Sequence, residues 1–276
     1  MAREMLGIDI GGSGIKGAPV DLSTGEFTRE RFRVATPQPS RPKPVAKVLA
    51  EIVDHFGWDG PVGVTYPGVV IDGVALSAAN VSKRWIGLDA ASLIAKATGR
   101  EITLLNDADA AGVAEMRLGA GRGRSGTVVL LTLGTGIGSA LFTDGVLVPN
   151  TEFGHIQIKG KDAEVRASAK ARTDRGLSWE QWARRLGTYM RHLEALISPS
   201  LIIVGGGVSR RSEHFVPLIE GVRAEIVPAR LVNNAGIVGA AMAAAAAHPA
   251  ETAPARVRAV GGTGAQRRRG TAKAAR

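Results

Sequence analysis

A glycine-rich turn between two apolar runs occurs twice in this chain, once in each half. Residues 9–16 read DIGGSGIK, entered from the apolar run 5–10 and leaving into 15–20. Residues 133–138 read LGTGIG, entered from 128–133 and leaving into 137–142. Each copy is a strand, a glycine turn and a second strand. Glycine has no side chain and tolerates positive φ, so such a turn lets backbone N–H groups come close to an anion. The hydroxyls of Ser13 and Thr135 offer one further donor each. A single hairpin of this kind is an ordinary loop. Its recurrence in matching context points to two lobes that hold a phosphorylated substrate between them.

The 276 residues suffice for one large domain or two lobes, and 45% hydrophobic content supplies a normal core. There is no cysteine, which removes disulfides and every cysteine-containing zinc site and agrees with a reducing, cytoplasmic setting. The first strand begins almost at once, so no signal peptide is expected. The longest apolar stretch, 236–247, is too short to span a bilayer, and no membrane association is expected. The net charge of +10 is uneven: residues 249–276 hold seven basic residues against Glu251. This segment is rich in Ala, Gly, Thr and Arg and has no aromatic residue, so it is expected to stay disordered. It could attract a polyanion such as nucleic acid, but only non-specifically.

Alternating elements run along the rest. Strands are expected at 4–10, 15–21, 27–34, 62–66, 102–105, 128–133, 137–142, 146–148, 201–204 and 226–228, with a short hairpin at 69–71 and 74–76. Val45, Val48, Leu49, Ile52, Val53 and Phe56 mark an amphipathic helix closed by Gly57. Asp89 can cap a helix that ends at Gly99, and 107–118 reads as an alanine-rich helix. Ser178 and Gln181 form a capping box before a helix whose buried face is Trp179, Trp182, Leu186, Tyr189, Met190, Leu193 and Leu196. A helix is expected after Gly205-Gly206-Gly207, and another over 234–247 closes the fold. The pattern is α/β in two lobes. Residues 1–106 would form a small N-terminal lobe on which the closing helix 234–247 packs, 107–233 a large lobe, and 248–276 the basic tail.

Four places could carry chemistry. Asn106-Asp107 ends a strand and starts a helix. There a carboxylate is either a general base toward a substrate hydroxyl or simply the helix cap, a role Asp109 could also take. Glu152 and His155, separated by Phe153-Gly154, can meet the hydroxyls of a sugar or form an ordinary surface pair. Asn80 with Trp85 is a weaker signal of the same kind. Gly205-Gly206-Gly207 between strand and helix suits a phosphate or nucleotide, but fits neither the Walker A spacing nor the dinucleotide fingerprint.

The segments DIGGSGIK (9–16), NDADAAG (106–112), LGTGIG (133–138), EFGH (152–155) and VGGGV (204–208), in this order, resemble the ROK-family sugar kinases from residue 4 to about residue 247. Within that family, GVTYPG (63–68), KGKDAE (159–164) and GLSW (176–179) are most similar to the bacterial polyphosphate glucokinases. The resemblance implies an actin-like, ribonuclease-H-like two-lobed fold and transfer of a phosphoryl group from polyphosphate and ATP to the 6-hydroxyl of glucose, with Mg²⁺. It assigns the base to Asp107 and the sugar hydroxyls to Asn80, Asn106, Glu152, His155 and Glu164. It assigns phosphate contacts to Gly11, Gly12, Ser13, Lys16, Thr135, Gly136 and Gly205 to Gly207, and Mg²⁺ placement to Asp9. A homodimer is the expected assembly. Many family members carry a cysteine-rich zinc motif just after the Gly-His pair; Lys159, Lys161, Arg166, Lys170 and Arg172 occupy that region here, so His155 is expected to be positioned without zinc. Lys16, Lys83, Arg84, Lys159, Lys161 and Arg166 are candidates for a cationic track along polyphosphate. An ATP-only hexose kinase and a non-catalytic sugar sensor with a polyanion-binding tail are the alternatives.

Overall fold

The computed structural model describes residues 4–249. The first sheet grows from β1 (Glu4–Ile10), which turns through Gly11 to Ser13 into antiparallel β2 (Gly14–Asp21), which pairs in turn with β3 (Phe32–Ala35). Helix α1 (Pro42–Phe56) carries the chain back to β4 (Val62–Tyr66), parallel to β1. A small hairpin, β5 (Val70–Ile71) and β6 (Val74–Ala75), and helix α2 (Ala90–Thr98) lead to β7 (Ile102–Asn106), parallel to β4. The order is β3-β2-β1-β4-β7. One face is covered by Val45, Leu49, Ile52 and Val53 of α1 and by Ile94 of α2, all buried. Asp89 caps α2 by accepting from the Ser92 N–H, and Gly57 and Gly99 end the two helices in the left-handed region, φ 56° and 66°.

Helix α3 (Asp107–Leu118) links this sheet to a second built to the same plan. Strand β8 (Thr127–Leu133) turns at Gly134 to Gly136 into antiparallel β9 (Ile137–Thr143), which pairs with β10 (Val146–Val148). A hairpin of β11 (Gln157–Ile158) and β12 (Lys161–Asp162) precedes the short helices α4 (Ala163–Ala167) and α5 (Ala169–Asp174) and the long α6 (Trp179–Ile197). Strands β13 (Leu201–Gly205) and β14 (Glu225–Pro228) add parallel neighbours, giving β10-β9-β8-β13-β14. The two sheets therefore have one topology, and the two glycine turns sit at corresponding places.

The last helix, α7 (Ala235–Ala247), crosses over. It follows the second sheet but buries Ile237, Val238, Ala241 and Ala244 with Met5, Ala18 and Val20 of the first. Helix α3 does the converse, burying Met116 with Val128, Leu130 and Phe142 of the second. The crossing is close enough to reach backbone. A methyl group on Gly63 would overlap the Ala240 carbonyl, one on Gly7 the Ile237 carbonyl, and one on Gly239 the Ala110 carbonyl.

Three expectations are corrected. Strand β3 begins at Phe32 rather than residue 27, and Phe27 makes only an isolated bridge to Val20. Beyond that bridge Arg29 turns to α1, where it donates to the Phe56 carbonyl at 2.7 Å and lies over the Phe56 ring. The segment after the three glycines is a 3₁₀ turn, Gly207–His214, kinked at Arg211, because VSRRSEH has no apolar face to hold a full helix. The α6 capping box is present and Trp182, Leu186, Tyr189, Met190 and Leu193 are buried, but Leu196 is 66% exposed. Ile197 packs in the last turn instead. Among the described residues no helix is long and apolar enough to cross a membrane. Apart from His248 and Pro249, the basic tail lies outside the described residues.

Candidate active site

The last turn of β7 delivers Asn106 and Asp107 to the opening between the sheets. Asn106 is the cap of α3: its Oδ1 accepts from the N–H groups of Ala108 at 2.8 Å and Asp109 at 3.1 Å. Its Nδ2 donates to the Gly68 carbonyl at 3.1 Å. Asp107 is the first helical residue, so it is not the cap and its carboxylate is left for the cleft. One of its oxygens accepts from the Ala108 N–H at 2.9 Å. The rest of the group faces two cavities, of about 480 Å³ and about 190 Å³, whose linings share Asp107, Thr132 and Gly206. The carboxylate is open to the cleft yet surrounded by protein. That desolvation, then the charge of Asp9 and, more weakly, of Glu152, pushes its pKa up to about 7.

Asn80, Asn106, Glu152, His155 and Glu164 all line the larger cavity, together with Lys83, Gly134, Thr135 and Gly136. Asn80 adopts φ 58°, a conformation asparagine tolerates, and its Cβ faces Gly12 of the first glycine turn. His155 Nδ1 is 2.9 Å from Asp162 Oδ2, and its Nε2 is 3.8 Å from Glu152. The Asp162 hydrogen bond, more than the surrounding charge, raises the His155 pKa. Burial raises that of Glu152. Glu164 accepts from the Ile137 N–H at 3.1 Å and so braces the second glycine turn. His155, Asp162 and Glu164 each bring a ligand atom within 4.8 Å of the others, close enough to share a cation.

The smaller cavity is bordered by Asp9, Lys16, Gly205, Gly206, Val232 and Asn233. Lys16 Nζ is 3.0 Å from Asp9 Oδ2, across the β1–β2 ladder. Asp9 Oδ1 accepts from the Thr65 hydroxyl at 2.7 Å. Gly11, Gly12, Ser13 and Gly207 line neither cavity. The carbonyls of the first turn are taken by Thr36 and Gln38, on Gly11 and Gly12. The cationic candidates do not form one row. Lys16 is in the smaller cavity, Lys83 in the larger, and Lys159 and Arg166 in a separate groove.

Several contributors were missed in the sequence. Asp162 orients His155, and Thr65 orients Asp9; a threonine directly after the apolar run 62–64 was the available signal for Thr65. Asn150, at φ 58°, ties three segments together. Its N–H donates to Asp109 Oδ2 at 2.8 Å, and its side chain both accepts from and donates to the Val70 backbone at 2.9 Å and 2.8 Å. Asp109 is buried and its pKa is also raised to about 7, mainly by desolvation. Val232 adopts φ 44° beside the smaller cavity, an uncommon state for a β-branched residue. A larger cavity of about 730 Å³, between α3, α7 and the β9–β10 edge, holds Arg117 and Arg124 and no acid or base near neutrality.

The ROK family matches residues 5–173. A polyphosphate glucokinase of Mycobacterium tuberculosis is 53% identical over 245 residues, 88% of this chain and 92% of its own. One from Mycobacterium leprae is 52% identical over 242 residues, 87% and 74% of the two chains. Among solved structures, the inorganic polyphosphate/ATP-glucomannokinase of Arthrobacter sp. strain KM superposes with a TM-score of 0.84 at 51% identity, over 89% of this chain and 99% of that one. A Streptomyces griseus ROK family glucokinase in complex with glucose and AMPPNP gives 0.73 at 27%, over 87% and 99%. The duplicated sheets and crossed helices form the actin-like two-lobed fold.

Proposed function

The chain belongs to the ROK family, and on that footing we propose that it phosphorylates glucose at the 6-hydroxyl, with inorganic polyphosphate and ATP as donors. The observation that carries this reading is the place of Asp107. It stands where a cavity lined by hydrogen-bonding side chains meets one lined by glycines, a lysine and an aspartate. Similarity to polyphosphate glucokinases supports the acceptor and the first donor, and similarity to a polyphosphate/ATP-glucomannokinase supports the second.

In this reading the sugar lies in the larger cavity. Glu152, Glu164, His155 and Asn80 take up its hydroxyls, which need both donors and acceptors. The charged pairs His155–Asp162 and His155–Glu152 fix the imidazole. Asp107 accepts the proton of the 6-hydroxyl as the oxygen attacks the terminal phosphorus, and the bond from phosphorus to the departing chain breaks on the side of the smaller cavity. A pKa near 7 suits a base that must both hold and release a proton near neutrality. Phosphoryl transfer asks chiefly for alignment and charge compensation. Lys16, Gly205 and Gly206 are the groups available on the donor side.

Mg²⁺ suits the same place. It binds through one or two carboxylates together with phosphate oxygens, and Asp9 offers a carboxylate held by Thr65 and Lys16 at the cavity edge. Bound there, the ion would offset the charge of the donor phosphates. Complete absence of cysteine supports a cytoplasmic location. The test is glucose phosphorylation measured in parallel with polyphosphate and with ATP as the sole donor. Activity with ATP alone would favour the hexose-kinase alternative, and activity with neither would leave the sensor.

A further inference from the structure

A groove of about 340 Å³ lies on the outer side of α4 and α6, apart from both cavities of the active site. Arg184 and Arg185 reach it from α6, Arg166 from α4 and Lys159 from the β11–β12 turn, with Gln181, Thr188 and Tyr189 completing the polar lining. Among the described residues no carboxylate lies within ion-pair distance of these four cations. The acids close to them in sequence are engaged elsewhere: Asp162 by the His155 ring, Glu164 by the Ile137 N–H and Glu180 by the Ser178 hydroxyl at 2.6 Å. The cations are also crowded: burial and the charges of Arg175 and Arg166 make Arg185 easier to deprotonate than a free arginine. Crowded cations without counter-charges repel one another and attract an anion.

A second observation is independent of charge. Tyr189 is fully buried, and its hydroxyl has no hydrogen-bond partner among the described residues. Buried polar groups are normally satisfied, so this hydroxyl beneath the groove lining is an unused donor that a small shift of the lining would open to a bound group. The remaining lining is Ile158, Ala163, Ala167 and Leu177, with no exposed aromatic ring. A nucleic acid or a nucleotide base would find no aromatic platform there. Guanidinium forks suit phosphate oxygens.

We propose that this groove binds the phosphate chain of inorganic polyphosphate at a station outside the catalytic cleft. The proposal rests on polyphosphate being a donor. Helix α4 separates the two places: Glu164 lines the cleft and Arg166 the groove. A helix is about 10 Å across, so a long chain could touch both. An anchored chain returns its ends to the cleft at high effective concentration, which a short donor or ATP cannot exploit.

The test is the double variant Arg184→Gln/Arg185→Gln in the full chain. Its KM for long-chain polyphosphate should rise about tenfold, that for tripolyphosphate much less, and those for ATP and glucose not at all, with kcat unchanged. Direct binding of long-chain polyphosphate should weaken equally. That arm is read even if polyphosphate turns out not to be a donor, so failure of the functional reading is seen separately. Three results would overturn the proposal. One is unchanged polyphosphate affinity and KM. Another is an equal loss of orthophosphate or glucose 6-phosphate binding with no dependence on chain length, which would make the groove a single-phosphate site. The third is a change in oligomeric state on sizing, which would make it a contact between copies. Circular dichroism and an unchanged ATP KM guard against misfolding.

Discussion

The pH dependence of turnover follows from the surroundings of Asp107. A base works only when deprotonated, and desolvation together with Asp9 and Glu152 holds this carboxyl near 7. With that value about one tenth of the free enzyme is competent at pH 6 and about nine tenths at pH 8, so kcat/KM should rise about tenfold across the interval. Glu152→Gln removes one of the two like charges. The Asp107 pKa must then fall and the acid limb must move to lower pH, whatever the loss in glucose affinity. Asp109→Asn tests the assignment. Asp109 is also held near 7 but lines neither cavity, so its variant should leave the limb in place. Asp107→Asn should remove roughly 10²–10⁴-fold of turnover while glucose still binds. The same pKa has a consequence for stability. Because the folded value lies above 3.8, the folded chain keeps a proton that the unfolded chain releases, and stability is lost as pH rises through about 7. Asp107→Asn should therefore raise Tm more at pH 8 than at pH 5. The assay is initial rate at subsaturating glucose over a pH series, beside thermal melts. A limb that follows Asp109→Asn, or that stays fixed in Glu152→Gln, would refute the reasoning.

Gly63→Ala places a methyl against the Ala240 carbonyl, a backbone atom that cannot step aside. It should cost on the order of 1–3 kcal/mol or more in denaturant unfolding. Asp162→Ala frees the His155 ring and should raise the KM for glucose with little change in that for ATP. Activity should require Mg²⁺ and not zinc; stoichiometric zinc in the purified protein, lost together with activity on chelation, would contradict this and direct attention to His155, Asp162 and Glu164. The KM for polyphosphate should climb more steeply with salt than that for ATP, since a long polyanion meets more screened contacts. Equal slopes would argue for one small donor site.

Much of the frame was legible because it is written in local patterns. The period of Val45, Leu49, Ile52 and Phe56, the Ser178–Gln181 box and the stops at Gly57 and Gly99 each act within a few residues, and the helices they specify are present. The site was legible where adjacent residues divide one task. The sequence offered the cap of this helix to Asp107 or Asp109, and the geometry gives it to Asn106. What escaped were partnerships across long gaps. Thr65 and Asp9 are 56 positions apart, and Asn150 and Val70 are 80 apart. No periodicity links such residues; the shared sheet and the facing loops do. Of the cationic candidates, Lys16, Lys83 and the pair Lys159–Arg166 lie in three different cavities, a separation that sequence spacing does not encode.

The crossing of α7 bears on how the chain comes off the ribosome. Met5, Ala18 and Val20 are among the first residues made, and the helix that buries them, Ala235–Ala247, is the last element among the described residues. Synthesis proceeds from the N-terminus and domains generally fold as they emerge. Here the first sheet can pair its strands early and dock α1, yet one face stays bare until nearly the whole polypeptide has been released. For most of translation that apolar face is open to chaperones and to other nascent chains. A message truncated before codon 235 would thus yield not a smaller stable lobe but an aggregation-prone half.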